Sequence, residues 1–267
     1  MAYELITLAY HDDYVTITMN NPERRNALSL KHMLELTRAL RAAGESEARG
    51  VILAGNGPVF SAGHDFADAV DKDLVAMRRL LKVCTEMMDT IQEIPQPVLA
   101  RVHGLATAAG CQLVATCDLA VASTDAGFAT PGGKGGWFCT TPMVALSRNI
   151  GRKRALEMLL TGDTIDARTA YEWGLVNRVV APEQLEEEAQ RLLEAATRGS
   201  WISKGMGKQA FYAQIDLPQH QAYNHAIEVM AATSQLSDAQ EGMHAFLEKR
   251  RPQFVAPSSA NEAVLSD

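Results

Sequence analysis

Apolar and polar positions alternate in two runs near the start of the chain, residues 4–10 and 14–19, and the polar His11-Asp12-Asp13 lies between them. This period-two pattern broken by a polar triplet predicts a β-hairpin. Asn20-Asn21-Pro22 ends the second strand, and Ser29 is placed to cap a helix. In that helix Leu30, Met33, Leu34, Leu36, Thr37 and Leu40 form a stripe at helical spacing. Residues 50–55 read as a short buried strand between glycines, and a glycine-bearing loop, 55–65, leads to a long helix over 73–94. Pro95 and Pro97 stop that helix. A strand over 98–102, a helix beginning near Ala109 and a strand over 118–122 follow.

The strand-strand-helix rhythm continues to about residue 180, ending with 175–180, and predicts stacked ββα turns that each bury an apolar face on the next. From Ala181 the period becomes helical, over 183–196, 201–213, 219–233 and 238–249. The chain thus divides into an α/β spiral, 1–195, and a helical part, 196–255, with no linker between them. The final run, 251–267, is rich in Pro, Ser and Ala and reads as a loose tail, disordered over 256–267.

Composition narrows the function classes. With 267 residues and 47% hydrophobic content, the chain can bury a large core. A net charge of -7 and a pI near 5.5 exclude a general nucleic-acid binder, though not a local basic pocket for a small anion. Cys84, Cys111, Cys117 and Cys139 show no C-x-x-C spacing, so reduced buried thiols are expected and no metal site is. The N-terminus lacks a basic segment followed by an apolar run, and no stretch reaches the roughly 18 apolar residues of a membrane span. These features set the expectation of a cytoplasmic protein without membrane contact.

Several motifs recur in a telling order. They are Asn21-Pro22 with Asn26-Ala27-Leu28, Phe60-Ser-Ala-Gly-His-Asp65, and Pro97-Val-Leu-Ala-Arg-Val-His-Gly104. Next come Gly110-Cys-Gln-Leu113 with Cys117-Asp118, then Leu160-Thr-Gly-Asp163 through Ala170 to Gly174-Leu-Val, and finally Glu241-Gly-Met-His-Ala-Phe-Leu-Glu-Lys-Arg250. In this order and spacing the chain resembles the crotonase, or enoyl-CoA hydratase/isomerase, superfamily over roughly residues 4–255. The resemblance implies a crotonase-type spiral of ββα turns with a helical C-terminal trimerisation region. It also implies homotrimers or hexamers of paired trimers, acyl-CoA thioesters as ligands, and no further cofactor, because the chemistry passes through a thioester enolate.

The family pattern assigns the oxyanion donors to the backbone N–H groups of His64 and Ala109. Helix N-termini carry unpaired N–H groups and partial positive charge, so a helix start at Ala109 suits an enolate oxygen. Ala62, Gly63, Asp65, Phe66, Gly110, Pro131 and Thr140 are the matching positions around the acyl group. Hydratases of the family use two glutamates, one to accept a proton and one to donate it. Here Gln112 and Gly132 fall at those positions, Pro131 marking the register of the second. Thr140 stands at a further position that is acidic in some branches. A glutamine amide can orient water but cannot take up a proton, so Gln112 retains the polar shape of the site without its base.

Three readings follow. In one, chemistry that needs only the oxyanion hole remains, such as decarboxylation of a malonyl-type thioester. In the second, His64, His103, Cys111, Cys139 or Thr140 replaces the acids. In the third, the protein binds acyl-CoA without turnover or partners an active relative, as the resemblance to the divergent enoyl-CoA hydratase domain-containing branch implies. For the CoA itself, Arg25 and Ala27 lie where the family turns beside the nucleotide. Phe246 and Lys249, three apart on one predicted helix face, match positions that reach a neighbouring subunit's CoA. Trp137 and Phe138 are placed either in the core or in the acyl pocket. Gly132-Gly-Lys-Gly-Gly136 lacks the phosphate-loop spacing.

Overall fold

The computed structural model describes residues 2–255. The hairpin forms as β1 (Ile6–Tyr10) and β2 (Tyr14–Met19), antiparallel, with Ile6 opposite Met19 and Tyr10 opposite Val15. Helix α1 (Leu30–Gly44) crosses to β3 (Gly50–Gly55), which pairs parallel with β2; the Ser29 side chain caps α1 by accepting from the His32 N–H. From there each turn of chain places one strand in each of two sheets. β3 is followed by β4 (Val59–Ser61), then α2 (Leu74–Glu93), then β5 (Val98–Val102) and β6 (Leu105–Thr107). Helix α3 (Ala109–Thr116) leads to β7 (Leu119–Ser123) and β8 (Gly127–Ala129). The last turn contains α4 (Pro142–Asn149), α5 (Arg152–Thr161), β9 (Ile165–Asp166), α6 (Ala167–Trp173) and β10 (Arg178–Val180).

The larger sheet has the order β1-β2-β3-β5-β7-β10 and the smaller one β4-β6-β8-β9. Both are parallel in their central pairs, which matches the almost continuous apolar runs of β3, β5 and β7: such strands are covered on both faces. One face carries the main core, where Leu53, Val98, Ala100 and Val102 meet Leu36 and Leu40 of α1 and Met87 and Ile91 of α2. The other is covered by α7 (Leu185–Thr197), whose Leu185, Ala189 and Leu193 pack on Ile52, Leu99 and Val121. The helical region continues through α8 (Trp201–Gln214), α9 (Gln219–Thr233) and α10 (Ser237–Leu247).

Four sequence expectations are corrected. Leu34, placed in the buried stripe of α1, is exposed; His32 and Glu35 are buried instead. The Glu35 carboxylate accepts the N–H groups of Glu4 and Leu5, so this helix face holds the N-terminal segment through a polar group rather than an apolar one. Lys249 is not on a helix face shared with Phe246, because α10 ends at Leu247. Lys249 sits at φ 56°, with its N–H donating to Phe246 and the Arg250 N–H to Ala245, the paired bonds of a Schellman closure. The strand expected over 175–180 is confined to β10, Arg178–Val180. Finally, residues 251–255 are not loose: Gln253 N–H donates to Glu241 and Val255 N–H to Asp238. The segment 256–267, expected to be disordered, lies outside the described residues.

Candidate functional site

The two segments proposed to carry the oxyanion donors meet between the small sheet and α3. Gly63, at φ 84°, has the left-handed backbone that glycine tolerates, and a side chain there would come within 2.8 Å of the Thr107 carbonyl and 3.1 Å of the Ala109 nitrogen. The Gly63 carbonyl accepts the Leu28 N–H at 2.7 Å. Because a trans peptide is planar, fixing that carbonyl turns the His64 N–H of the same peptide the opposite way. Ala108, at φ 49°, is strained for a residue with a side chain, a feature concentrated at functional sites. Its N–H donates to Ala129, and its carbonyl accepts from Gln112 in the first turn of α3, which leaves the Ala109 N–H directed out of the helix N-terminus. Among the described residues neither the His64 nor the Ala109 N–H donates to any protein acceptor.

His64 and Ala109 line one cavity of about 270 Å³, together with Ala62, Phe66, Pro131, Gly132 and Thr140 of the predicted site. Trp137 and Phe138 line it too, so these aromatics belong to the pocket wall. Leu81, which no sequence motif marks, enters the lining from α2. A groove of about 580 Å³ between α8 and α10 is larger and contains Phe246 and Lys204, but neither His64 nor Ala109 lies in it. The two unpaired N–H groups therefore belong to residues of the smaller cavity.

Electrostatically the lining is uncharged. The Asp65 carboxylate is engaged by Arg24 at 2.9 Å and caps the Ala67 N–H. The His64 imidazole is held below its ordinary pKa by burial, partly offset by the nearby Leu28 carbonyl and Asp68 carboxylate. Neither ring nitrogen completes a hydrogen bond with good geometry, and the ring lies 6.0 Å from that of Trp137. Burial also raises the Cys139 thiol, the more so the Cys111 thiol, which is pushed up to about 12. Of the five candidates to replace the acids, only His64, Cys139 and Thr140 line the cavity. Cys111 is buried within α3, and the His103 ring pairs with the Gly57 carbonyl at 2.9 Å.

The remaining predicted residues divide cleanly. Gln112 is buried in α3 with its side-chain oxygen unpaired, behind rather than in the cavity lining. At Gly132 a β-carbon would lie 2.2 Å from the Trp137 carbonyl oxygen and 2.7 Å from the Cys139 sulfur, so the backbone here has no room for a glutamate. Gly110 is equally constrained, since a β-carbon would meet the Ser61 carbonyl at 2.5 Å. Ala27 is buried, its carbonyl paired with the His32 ring, whereas Arg25, Phe246 and Lys249 are exposed and outside the cavity.

Comparison with known proteins matches this geometry to a family. The profile for enoyl-CoA hydratase/isomerase matches residues 12–257. The mouse protein named enoyl-CoA hydratase domain-containing protein 3, mitochondrial, is 44% identical over 252 residues, 93% of this chain and 83% of its own length. The crystal structure of an enoyl-CoA hydratase from Mycobacterium smegmatis superimposes with a TM-score of 0.91 at 45% identity, covering 94% of this chain and 98% of that one. That of human enoyl Coenzyme A hydratase domain-containing protein 3 gives 0.90 at 40% identity, covering 94% and 100%. The cytoplasmic expectation is corrected by the vertebrate relatives, whose names from mouse, rat, zebrafish and human place them in mitochondria. The N-terminal pattern had addressed only secretion, and mitochondrial targeting obeys different rules. Among the described residues no helix is long and apolar enough to cross a membrane. The spiral of ββα turns and the matched sequence together establish that the chain belongs to the enoyl-CoA hydratase/isomerase family, a family of acyl-CoA-binding proteins.

Proposed function

We propose that this protein binds an acyl-CoA thioester with its carbonyl oxygen between the His64 and Ala109 N–H groups, and polarises it without the carboxylate pair that adds water. The observation that carries this reading is a pair of free N–H groups on residues lining an uncharged cavity. Two donors aimed at a developing oxyanion stabilise it strongly in a site that excludes water, each one typically contributing about 10²–10³ in rate. The absent step has a physical basis as well. Gln112 cannot accept a proton, and Gly132 cannot be replaced by glutamate without moving residues 137–139. Calorimetric titration with butyryl-CoA tests the reading: saturable binding weakened by excess CoA is expected, and failure to bind any CoA ester refutes it.

The uncharged, partly aromatic lining favours a second reading, decarboxylation of a malonyl-type CoA thioester. The electrons of the breaking carbon–carboxylate bond form the enolate, carbon dioxide leaves, and water returns a proton to the α carbon, so no protein base is needed. Release of carbon dioxide from malonyl-CoA or methylmalonyl-CoA above the buffer rate supports it, and turnover equal to buffer removes it. Binding without any turnover leaves the protein an acyl-CoA binder or a partner of an active relative. Assembly as a trimer or hexamer is supported by the exposed Phe211, Ile215, Tyr223, Ile227 and Met230 on and beside α8 and α9. Light scattering that gives a monomer refutes it.

A further inference from the structure

We infer that Ser61 is the positioning residue that sets the spacing of the two oxyanion donors, an inference that rests on the proposed placement of the thioester oxygen. Ser61 is fully buried at the end of β4, in a stretch where the pairing with β6 slips register between Val59 and Ser61. Its hydroxyl donates to the Asn26 carbonyl at 2.9 Å and accepts the Gly63 N–H at 3.3 Å. A hydroxyl is the smallest side-chain group able to make both bonds at once. The Gly63 N–H belongs to the peptide immediately before the one that bears the His64 N–H. With Leu28 fixing the Gly63 carbonyl, both ends of Gly63 are held, and the direction of the His64 N–H is set.

The same residue touches the other donor segment. A β-carbon on Gly110 would lie 2.5 Å from the Ser61 carbonyl oxygen, 2.8 Å from its β-carbon and 2.9 Å from its hydroxyl. Gly110 follows Ala109, so the first turn of α3 rests directly on Ser61. One buried side chain therefore bonds to the loop of the first donor and packs against the helix of the second.

Asn26 completes the support. It is buried at φ 49° and its amide donates to the carbonyls of Asn56, Val59 and Phe60 at 2.8, 3.1 and 3.1 Å, while its side-chain oxygen accepts the Asn21 N–H. The carbonyl that Ser61 uses as acceptor is thus itself rigidly placed. Ser61 is argued to act through the two N–H groups and not to touch the acyl group.

The test is the absorption band of trans-2,4-hexadienoyl-CoA, a conjugated thioester whose band moves to longer wavelength as its carbonyl is polarised. Bound to the natural protein, the band is expected to shift to the red. In Ser61→Ala the dissociation constant is expected to stay within about threefold while the shift falls to about half or less, since donors gain their effect from preorganised aim. Should Ser61→Ala fail to fold, Ser61→Cys keeps a weak donor and acceptor at the same position and weakens both bonds, and the same loss is expected. An undiminished shift in a folded variant overturns the role of Ser61 alone. No shift in the natural protein overturns the oxyanion placement, and the inference with it.

Discussion

Replacing Lys208 by Met should destabilise the protein severely, although the residue lies outside the candidate site. Lys208 projects from α8 and is almost wholly buried, its side chain 7% exposed against 14% for its partner Asp118. The ammonium bonds to the Asp118 carboxylate at 2.7 Å and to the carbonyls of Ile91 and Gln96 at 2.6 and 2.8 Å, matching its three N–H groups to three acceptors. Asp118 also accepts the Val98 N–H at 2.7 Å and the Tyr212 hydroxyl at 2.8 Å. Burial pushes the Asp118 carboxyl up and the Lys208 ammonium down, and each charge partly offsets the shift of the other. Lys208→Met removes one charge, strands the other in the interior, and leaves two carbonyls without a donor. Breaking a buried pair in this way costs about 3–5 kcal/mol. At about 2–4 °C per kcal/mol for a chain of this size, the melting temperature should fall by about 6–20 °C. Urea unfolding measures the free-energy loss, with the exposed pair Arg168–Glu172 as control, where Arg168→Ala should change stability by about 1 kcal/mol or less. The double variant Asp118→Asn, Lys208→Met removes both charges and should recover about half of the loss. A loss below about 1 kcal/mol for Lys208→Met would refute the view that this cluster ties α8 to the end of α2 and to the Asp118 segment.

Three further outcomes are expected. Gly132→Glu should lose about 1–3 kcal/mol of stability in urea unfolding through overpacking against Trp137 and Cys139, and should gain no hydratase activity; a variant as stable as the natural protein contradicts the cramped geometry. Glu241 is held at about 2 by the Arg250 guanidinium and the Gln253 N–H. Since its folded value lies below its ordinary one, its support of residues 250–255 is present above the ordinary carboxylate range and disappears as pH falls toward 2. A carboxyl titration by NMR in which Glu241 behaves like a free side chain disproves it. His64 is likewise lowered by burial, so its contribution to stability is full above the ordinary histidine value of 6.5 and declines as pH drops below that value toward the folded one. NMR of its ring should show the neutral form at pH 7, and a charged ring at that pH contradicts an uncharged cavity.

Much of the fold was legible because the strong signals are local. Period-two alternation gave β1 and β2, flanking glycines gave β3, and Asp73 with Pro95 bracketed α2. The three-residue strands β4, β6 and β8 carry too few positions for a period to appear, and pairing with distant segments defines them. Helices α4 to α6 are short and half-exposed, with Val144, Leu156, Leu160 and Tyr171 facing solvent, so no apolar stripe announces them. In the site, family motifs identified His64, Ala109, Pro131 and Gly132, and the structure brings them to one cavity. Leu81 entered that cavity from a helix far away in sequence, and Ser61 gained its place through contacts with Asn26 and Gly110. Neither residue has a sequence signature, because each is defined by what the fold brings beside it.

The central claim is that the site binds and polarises an acyl thioester but lacks the acid–base pair for adding water. Rapid mixing with trans-2-butenoyl-CoA, following the conjugated enoyl absorbance, tests it most directly. The account predicts a saturable red shift of the band with no decay above the rate in buffer. Loss of the band at about 1–10³ per second, the range of working enzymes, would contradict it and show that another group in the cavity activates water.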